Sequence, residues 1–423
     1  MPFMLKDWVK NIFLTIRNLG FMGFVWIGAA MSLFVVQSAA ASSAPSSGVG
    51  YLLADPTGKI MVSQNADQPF VPASTFKLLT ALGAIHTLGE DFKFKTRFFL
   101  GQDLTLKVKG SGDPLITSEI LETLCQDLAS TLFKRGISKI RGIEVDNLFF
   151  EPNIDIPGTG SSTNPYDAGV AALSANFNTV SFILSAQPGQ KAQYMSAEPQ
   201  TPLLDFTHKR IMASGLHQGR IILSRDETRT YGGRLIKFFL EKQGIKITGD
   251  LPGWVKEGQV DEQDIHIYTY VSPHNLTDIV QRLLKYSNNF MANQIFLTAG
   301  AEAFLPPANL EKAIKALSDY AVDILGIENI TIAEGSGISR KNTISPREML
   351  KVLMAFKPFH GLMTSGQNEF YKTGTLTGVR TLAGYFTSGK DNGLYPYVIM
   401  VNHPEKDYNR IRKQLKDRAA VSY

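Results

Sequence analysis

The sequence is organised around Pro72-Ala73-Ser74-Thr75-Phe76-Lys77-Leu78-Leu79-Thr80-Ala81-Leu82, which continues in the same texture to Leu88. The apolar residues of this stretch recur at helical spacing, and its other faces carry little that is polar. This pattern predicts a helix that is buried nearly all round. Ser74 and Lys77 are three positions apart, so they are neighbours on the first turn of that helix.

The pair Ser74 and Lys77 does not fit a plain core helix. A capping box places Glu or Gln three residues after the cap, and a cation in the first turn opposes the helix dipole. Burial and the helix N-terminus both lower the pKa of a lysine, and a neutral Lys77 accepts the proton of Ser74 and turns its hydroxyl into a nucleophile. The structural alternative is that Ser74 caps the helix and Lys77 extends to solvent.

Length and composition set the broad class of protein. The chain has 423 residues, of which 44% are hydrophobic and 19% charged, as in globular proteins of two or three domains. Its net charge of +5 is too mild to indicate nucleic-acid binding, but it permits peripheral association with an anionic wall polymer or membrane. The one cysteine, Cys125, excludes an intrachain disulfide. We expect no metal or cofactor, because no His pair has metal-ligand spacing and no phosphate-binding glycine pattern occurs.

The N-terminal segment has the parts of a secretory signal. Lys6, Lys10 and Arg17 precede an apolar run from Leu19 to Val36, and the small residues Ala39–Ala41 follow. The order of basic, apolar and small residues predicts a signal peptide over residues 1–41 and a periplasmic protein. The alternative is an uncleaved membrane anchor, since an apolar run of about 18 residues is just long enough to span a bilayer.

Strands and helices at both ends of the chain enclose a middle that is richer in strands. The pattern indicates an α/β (α+β) domain formed by residues 42–95 and 265–423, interrupted by a β-rich insertion over residues 96–264. Predicted strands cover residues 49–54, 59–63, 96–100, 104–108, 140–145, 179–185, 218–223, 265–271, 381–386 and 395–402, and further predicted helices cover 117–135, 276–297, 310–325, 346–356 and 406–416.

Two further motifs carry groups that could bind a substrate or take part in catalysis. Lys372-Thr373-Gly374-Thr375 supplies a cation, hydroxyls and a glycine whose missing Cβ leaves room for a substrate backbone against a strand. An exposed turn is the alternative interpretation of this motif. Ser287-Asn288-Asn289 places polar residues where an apolar helical run breaks, as at a loop facing a cleft. Ser-x-Asn alone is weak evidence, because Ser63-Gln64-Asn65 and Ser174-Ala175-Asn176 match it too.

Ser-x-x-Lys, Ser-x-Asn and Lys-Thr-Gly in this order are the triple of the serine penicillin-binding enzymes and serine β-lactamases. Over nearly all of residues 49–402 the chain resembles the D-alanyl-D-alanine carboxypeptidase/endopeptidase family, the class C low-molecular-mass penicillin-binding proteins. The interval from Ser74 to Ser287 is far longer than in β-lactamases, and the family places its extra domains there. Further similar pieces are Pro72–Thr75, Gly110–Pro114, Glu334–Arg340 and Gly378–Tyr385.

The resemblance implies catalytic roles for five residues. Ser74 would be the nucleophile that the penultimate D-Ala acylates, and Lys77 would be its general base. Ser287 and Lys372 would relay a proton to the leaving group, and Asn289 would hold the peptide amide.

The resemblance also implies the contacts with substrate. Thr373 and Thr375, on either side of Gly374, would bind the terminal carboxylate, and the backbone N–H groups of Ser74 and Thr375 would form an oxyanion hole. Asp167 matches an acidic residue of the inserted domain that contacts the free amine of the third residue of the stem peptide. The implied partners are peptidoglycan stem peptides and β-lactam antibiotics, the latter as covalent inhibitors.

One departure from the family pattern affects the cleft wall. The family has a longer segment before Lys-Thr-Gly, whereas here Phe356 is followed by Pro358-Phe359-His360-Gly361 and, soon after, by Lys372. The leading hypothesis is an exported serine DD-peptidase. The alternatives are a wall-binding protein of the same fold with weak or no turnover, and a β-lactamase, which needs a deacylating carboxylate that the sequence does not identify.

Overall fold

The computed structural model describes residues 48–160, 167–185, 192–249, 255–387, 393–404 and 408–421. The segment predicted as a secretory signal, residues 1–41, lies outside these ranges, so its assignment stays a prediction. Within the described ranges, no helix is long and apolar enough to cross a membrane.

The elements are named here in chain order. The strands are β1 (Val49–Ala54), β2 (Ile60–Gln64), β3 (Lys95–Leu100), β4 (Thr105–Lys109), β5 (Lys139–Ile140), β6 (Gly142–Asp146), β7 (Thr179–Ser185), β8 (Gln193–Ser196), β9 (Gln218–Ile222), β10 (Lys246–Ile247), β11 (Val255–Glu257), β12 (Ile265–Val271), β13 (Ile330–Thr331), β14 (Thr343–Ile344), β15 (Thr364–Gly366), β16 (Glu369–Leu376), β17 (Val379–Thr387) and β18 (Leu394–Val401). The helices are α1 (Lys77–Leu88), α2 (Ser118–Lys134), α3 (Asp205–Ser214), α4 (Arg225–Lys242), α5 (Leu276–Tyr286), α6 (Asn289–Phe304), α7 (Leu310–Asp319), α8 (Pro346–Phe356) and α9 (Asn409–Val421).

A six-stranded antiparallel sheet joins the two ends of the chain in the order β15-β16-β17-β18-β1-β2. Its central strands are apolar on both faces, because side chains alternate between two cores. Val398 and Met400 face the core that contains α1, whereas Tyr397 and Ile399 face a smaller core closed by Leu415 of α9. Burial of both faces explains why β18 reads as a continuous apolar run.

Helix α1 lies at the centre of the larger core. Every residue from Lys77 to Ala84 is buried, as the sequence predicted. Helices α5, α6, α7 and α8 pack around α1. Gly83 permits the close approach of α7, since a Cβ at this position would collide with Leu317. The nucleophile candidate therefore precedes a helix that is held on several sides.

The middle of the chain forms a second core around a mixed sheet in the order β11-β6-β4-β3-β12. Strand β6 pairs in parallel with β4 and β11, which requires crossover connections, and α2 and α4 supply them. A smaller sheet, β8-β7-β9, and helix α3 complete this region.

The middle of the chain contains two helices, α3 and α4, that were not predicted from the sequence. The polar residues in the first half of α4 obscure its apolar periodicity, although Ser224 and Glu227 form a capping box at its start. Strand β12 pairs with β3, so it belongs to the sheet of the middle region and not to the sheet of the chain ends. Strands β1, β7 and β12 and helix α8 have the predicted bounds.

Candidate active site

Ser74 lies in a tight turn before α1. Residues Ala73–Phe76 form one 3₁₀ turn, in which Ala73 has a φ of +48°. Alanine rarely adopts this left-handed conformation, which costs on the order of 1–3 kcal/mol and must be held by its surroundings. Ser74 is half-buried, whereas its neighbours Ala73 and Thr75 are buried. The turn therefore presents Ser74 to the cleft and encloses the residues around it.

Two hydroxyl groups, one within the turn and one on β17, fix the residue that precedes it. The carbonyl oxygen of Pro72 accepts hydrogen bonds from Thr75 Oγ1 at 2.7 Å and from Thr381 Oγ1 of β17 at 2.6 Å. Both hydroxyl groups are buried. The position of Ser74 is thus tied to the central sheet.

Lys77 is fully buried beside Ser74. Its Nζ lies 2.9 Å from Ser74 Oγ and donates to Asn289 Oδ1 at 2.6 Å and to the carbonyl oxygen of Ser336 at 2.7 Å. Burial, and then the charge of Lys372, hold the pKa of Lys77 well below its ordinary value, while the charge of Glu334 opposes this shift. A lysine nitrogen that is neutral at this distance can accept the proton of Ser74.

Lys372 and Ser287 form a second hydrogen-bonded pair. Lys372 lies on β16 and is buried, and its Nζ donates to Ser287 Oγ at 2.7 Å and to the carbonyl oxygen of Thr373 at 2.9 Å. Burial lowers the pKa of Lys372 to about 8. Ser287 has a φ of +53° at the break between α5 and α6. The predicted interruption of the apolar helical run is confirmed at this position. The left-handed backbone directs the hydroxyl of Ser287 toward Lys372.

Asn289 is the first residue of α6. Its Oδ1 accepts a hydrogen bond from Lys77, which orients the lysine. This contact is additional to the peptide-amide contact that the resemblance implies. Asn289, Ser74 and Ser287 all line one cleft of about 750 Å³.

The residues after Lys372 alternate in exposure along β16. Thr373 and Thr375 are exposed and Gly374 is buried. Thr375 is among the described residues that line the cleft, and Thr373 is not. The structure thus places Thr375, but not Thr373, in the lining of the cleft that contains Ser74.

The structure gives a different reason for a glycine at position 374 from the one that the sequence predicted. A Cβ there would collide with Thr381 Oγ1 and would lie 2.8 Å from the carbonyl oxygen of Pro72 and 2.9 Å from the nitrogen of Ser74. The missing side chain therefore makes room for the turn that carries Ser74, and not for a substrate backbone.

Asp167 lines the same cleft as Ser74. Its Oδ1 accepts a hydrogen bond from the backbone nitrogen of Gly160 at 2.7 Å. An acidic side chain from the middle region therefore reaches the cleft of the peptidase residues.

The loop Glu334–Arg340 positions Lys77, a role that sequence reasoning missed. The fully buried Glu334 accepts hydrogen bonds from the backbone nitrogen and hydroxyl of Ser336, from the backbone nitrogen of Ser339 and from Asn342 Nδ2. These bonds aim the carbonyl oxygen of Ser336 at Lys77. Gly337 has a φ of +80°, and a Cβ there would collide with the carbonyl oxygen of Ala73. The sequence signal that could have indicated this role is an acidic residue followed by two glycines in a polar run.

The segment before Lys372 forms a 3₁₀ turn, Lys357–Leu362, and the short edge strand β15. Strand β15 pairs with β16 immediately upstream of Lys372, and His360 packs edge-on against Phe370. The shortened segment therefore still supports β16. Among the described residues, no cluster of His, Cys, Asp or Glu has the arrangement of a metal site.

Comparison with known proteins agrees with this geometry. The model of the D-Ala-D-Ala carboxypeptidase 3 (S13) family matches residues 37–364. The chain belongs to this family. The match ends before β16, so the assignment of Lys372 to the site depends on its 2.7 Å contact with Ser287.

Individual members of the family show the same relationship. The chain is 23% identical over 402 residues to a D-alanyl-D-alanine carboxypeptidase of Actinomadura sp. (strain R39), covering 78% of this chain and 73% of the relative. It is 25% identical over 399 residues to D-alanyl-D-alanine carboxypeptidase DacB of Haemophilus influenzae, covering 78% and 80%.

The crystal structure of penicillin-binding protein 4 (dacB) from Haemophilus influenzae matches with a TM-score of 0.70 at 20% identity, covering 88% of this chain and 95% of that one. A second structure of that protein, in complex with a β-lactam, matches with a TM-score of 0.66. The predicted penicillin-binding fold class is confirmed. Family membership and the Ser74–Lys77 contact together identify this S13 protein as a serine DD-peptidase.

We expect Gly374→Ala to slow acylation of Ser74 by penicillin by about 100-fold, because an angstrom-scale displacement of a reacting group costs roughly that factor. The measurement is the second-order labelling rate, with melting curves recorded in parallel. Gly361→Ala is the matched control, since a Cβ at Gly361 meets no atom within 4 Å. A parental rate in Gly374→Ala would show that the turn does not depend on this close approach.

The pH dependence of acylation tests the Lys372–Ser287 pair. If Lys372 supplies the proton to the leaving nitrogen, the rate of penicillin acylation falls as the pH rises through about 8, where Lys372 loses its proton. A thiolester substrate is the control, because a thiolate departs without a proton and its acylation should lack this alkaline decline. An equal decline with both substrates would assign the titration to another step.

Proposed function

We propose that this chain is an exported, penicillin-sensitive peptidase that cleaves D-Ala-D-Ala termini and cross-links of peptidoglycan stem peptides. The observation that carries the proposal is the buried Lys77 Nζ at 2.9 Å from Ser74 Oγ. A structural lysine would extend to solvent, whereas this one is withdrawn from water and held against a hydroxyl. The relatives from Actinomadura and Haemophilus influenzae are D-alanyl-D-alanine carboxypeptidases, which supports the substrate class.

In the proposed first step, Lys77 accepts the hydroxyl proton of Ser74 while Oγ attacks the carbonyl carbon of the penultimate D-Ala. The oxyanion that forms lies between the backbone N–H groups of Ser74 and Thr375. The close approach of Gly374 to the nitrogen of Ser74 supports this pairing of donors. Each such donor is typically worth about 3 kcal/mol in the transition state.

In the second step, the C–N bond breaks and the leaving amine takes a proton from Lys372 through Ser287. The 2.7 Å contact between these two side chains supports the relay. The proton that Lys77 took from Ser74 then passes to Lys372, so both lysines regain their starting states. Water attacks the acyl-enzyme and gives one proton to Lys77, and Lys77 returns that proton to Ser74 Oγ as the ester bond breaks. One water molecule is consumed, and the peptide bond becomes a carboxylic acid and an amine.

The remaining site residues bind the substrate in this proposal. Thr373 and Thr375 hold the terminal carboxylate, with Lys372 contributing its charge, and Asn289 holds the peptide amide. Asp167 contacts the free amine of the third residue of the stem peptide. The presence of Thr375, Asn289 and Asp167 in one cleft supports these roles.

Turnover is favoured over the alternatives by two observations. A protein that only binds the cell wall has no need of a buried lysine against Ser74. A β-lactamase needs a carboxylate that activates water, but Glu334, whose charge acts on Lys77, has both oxygens engaged by its own loop. Glu334 therefore serves as a structural group in this proposal.

For the domain organisation, we propose a peptidase domain made from the two ends of the chain and an inserted domain between them. Pairing of β12 with β3 supports a return to the peptidase domain after Val271, a few residues later than the predicted position 265. For the localisation, we propose export with cleavage near Ala41 and action in the periplasm, on the basis of the basic, apolar and small-residue order in residues 1–41.

Labelling with a fluorescent penicillin tests the proposed function. We expect the parent protein to form a stable covalent adduct and Ser74→Ala to form none, because the substitution removes the attacking oxygen. Thr75→Ser is the matched control, since it keeps a hydroxyl at the neighbouring position. Release of D-Ala from a D-Ala-D-Ala peptide by the parent is measured in parallel. An adduct on Ser74→Ala would contradict the assignment of the nucleophile.

The Lys77→Arg variant distinguishes a role of Lys77 as general base from a role as a positive charge only. We expect acylation to fall nearly as far as in Lys77→Ala, because arginine stays protonated while a buried lysine loses its proton. The comparison requires folded protein with matching melting curves, since a longer side chain in a packed site costs about 1–3 kcal/mol. Acylation of Lys77→Arg at close to the parental rate would move the base role to Ser287 and Lys372.

A further inference from the structure

The middle region contains a left-handed turn just before β7. Three successive residues, Asn176, Phe177 and Asn178, have φ angles of +50°, +56° and +52°. Asparagine tolerates this conformation, whereas a bulky residue such as phenylalanine rarely adopts it, and left-handed residues normally occur singly. A disfavoured backbone persists only where its surroundings impose it, and such places are often functional. The position of Phe177 is therefore enforced by its neighbours.

The two asparagines anchor the turn in the second core. The backbone nitrogen of Ser118 donates to Asn176 Oδ1 at 2.9 Å, and Asn176 Nδ2 donates to Ser118 Oγ at 2.8 Å. Asn178 Nδ2 donates to the carbonyl oxygen of Gly169 at 2.8 Å. Both asparagines are buried. These bonds fix the turn to the middle region on both sides of Phe177.

Phe177 itself packs against the larger core. Its half-buried ring lies edge-on to the ring of Phe290, with 5.9 Å between the ring centroids. Phe290 is buried in the first turn of α6 and directly follows Asn289. The middle region thus contacts α6 at the end of the helix that lines the cleft of Ser74.

The same face of α6 meets the middle region further along the helix. Gln294 lies four residues after Phe290, and its Nε2 donates to the carbonyl oxygens of Ala171 at 3.0 Å and of Gly112 at 3.3 Å. Thr298 lies four residues further on, and a Cβ on Gly112 would approach its Oγ1 to 2.7 Å. Residues four apart share a helix face. One stripe of α6 is therefore packed against the middle region, and Phe290 is its N-terminal member.

We propose that Phe177 is a positioning residue, through which the middle region holds the first turn of α6 and fixes Asn289 in the cleft. The inference rests on the proposed function, which assigns Asn289 a contact with the peptide amide of the substrate. Asn289 Oδ1 accepts a hydrogen bond from Lys77 at 2.6 Å, and its Nδ2 is the group that can donate to an amide carbonyl. A displacement of the first turn of α6 therefore weakens both the orientation of Lys77 and the grip on the amide.

Two penicillins separate these two contacts. Benzylpenicillin carries an amide side chain, 6-aminopenicillanic acid lacks it, and both acylate through the same lactam. We expect Phe177→Ala to lower the second-order acylation rate about ten-fold with 6-aminopenicillanic acid, because Lys77 loses an orienting partner. The loss with benzylpenicillin should be about 100-fold, because the amide contact is lost as well and each hydrogen bond corresponds to about a factor of ten. Asn289→Ala should show the same pattern.

Three further variants distinguish position from stability. Phe177→Gly also removes the ring, but glycine adopts a positive φ without strain, so it should melt above Phe177→Ala and still show the same losses. Phe177→Gly also carries the test if Phe177→Ala does not fold. Phe177→Tyr keeps the ring and should keep the parental rates. Phe92→Ala is the matched control and should keep them too, since Phe92 is half-buried, borders the same core and packs edge-on against Phe94 at 5.0 Å.

Four outcomes would overturn the positioning role. They are parental rates in Phe177→Ala with both penicillins, recovery of the rates in Phe177→Gly along with stability, equal losses in Phe92→Ala, and parental rates in Asn289→Ala. Each is seen in a variant while the parent forms its adduct on Ser74. A parent that forms no adduct would instead contradict the proposed function, and the positioning role with it.

Discussion

The withdrawal of Lys77 from water is the constraint on which the rest of the site depends. A buried ammonium group without compensation is very costly, so such a lysine loses its proton or gains partners. Here the nitrogen meets oxygens of Ser74, Asn289 and Ser336, which belong to three segments far apart in sequence. The turn, the start of α6 and the loop after β13 must all be in place before the lysine is held. Reactivity of the hydroxyl is therefore a property of the assembled core.

Close backbone approaches hold those segments together. Gly374 lets β16 pass against the nitrogen of Ser74, and Gly337 lets its loop pass against the carbonyl oxygen of Ala73 from another side. The left-handed Ala73 between them is kept in a conformation that alanine alone would avoid. Because side chains would separate these backbones, the glycines serve positioning and not flexibility. Strain at the turn is the consequence of fitting the hydroxyl between a strand and a loop.

Local patterns in the sequence predicted much of the fold and the Ser74–Lys77 pair, and the family resemblance supplied the other members of the site, but neither predicted their contacts. The buried α1 and the bounds of β1 and α8 follow from periodicity and from Pro346, and the spacing of Ser74 and Lys77 follows from helix geometry. Helix α4 was not predicted, because the first half of its sequence is polar. The packing of Gly374 against the turn of Ser74 could not be predicted, because it depends on residues distant in sequence. The hydrogen bonds of Glu334 join residues of its own loop, but the contact of that loop with Lys77 is likewise distant in sequence.

The two buried lysines of the site differ in the charges that act on them, and this difference gives the proposed proton relay a direction. Burial and the charge of Lys372 hold the pKa of Lys77 well below its ordinary value against the opposing charge of Glu334, whereas burial alone lowers the pKa of Lys372 to about 8. The additional charge that acts on Lys77 supports the proposal that Lys77 is the base and Lys372 the acid. A charged Lys372 in turn favours the neutral form of Lys77, because like charges in a buried site repel. In the proposed mechanism, the pair thus provides a base beside Ser74 and an acid beside Ser287, which is the arrangement that attack by a hydroxyl and departure of an amine require.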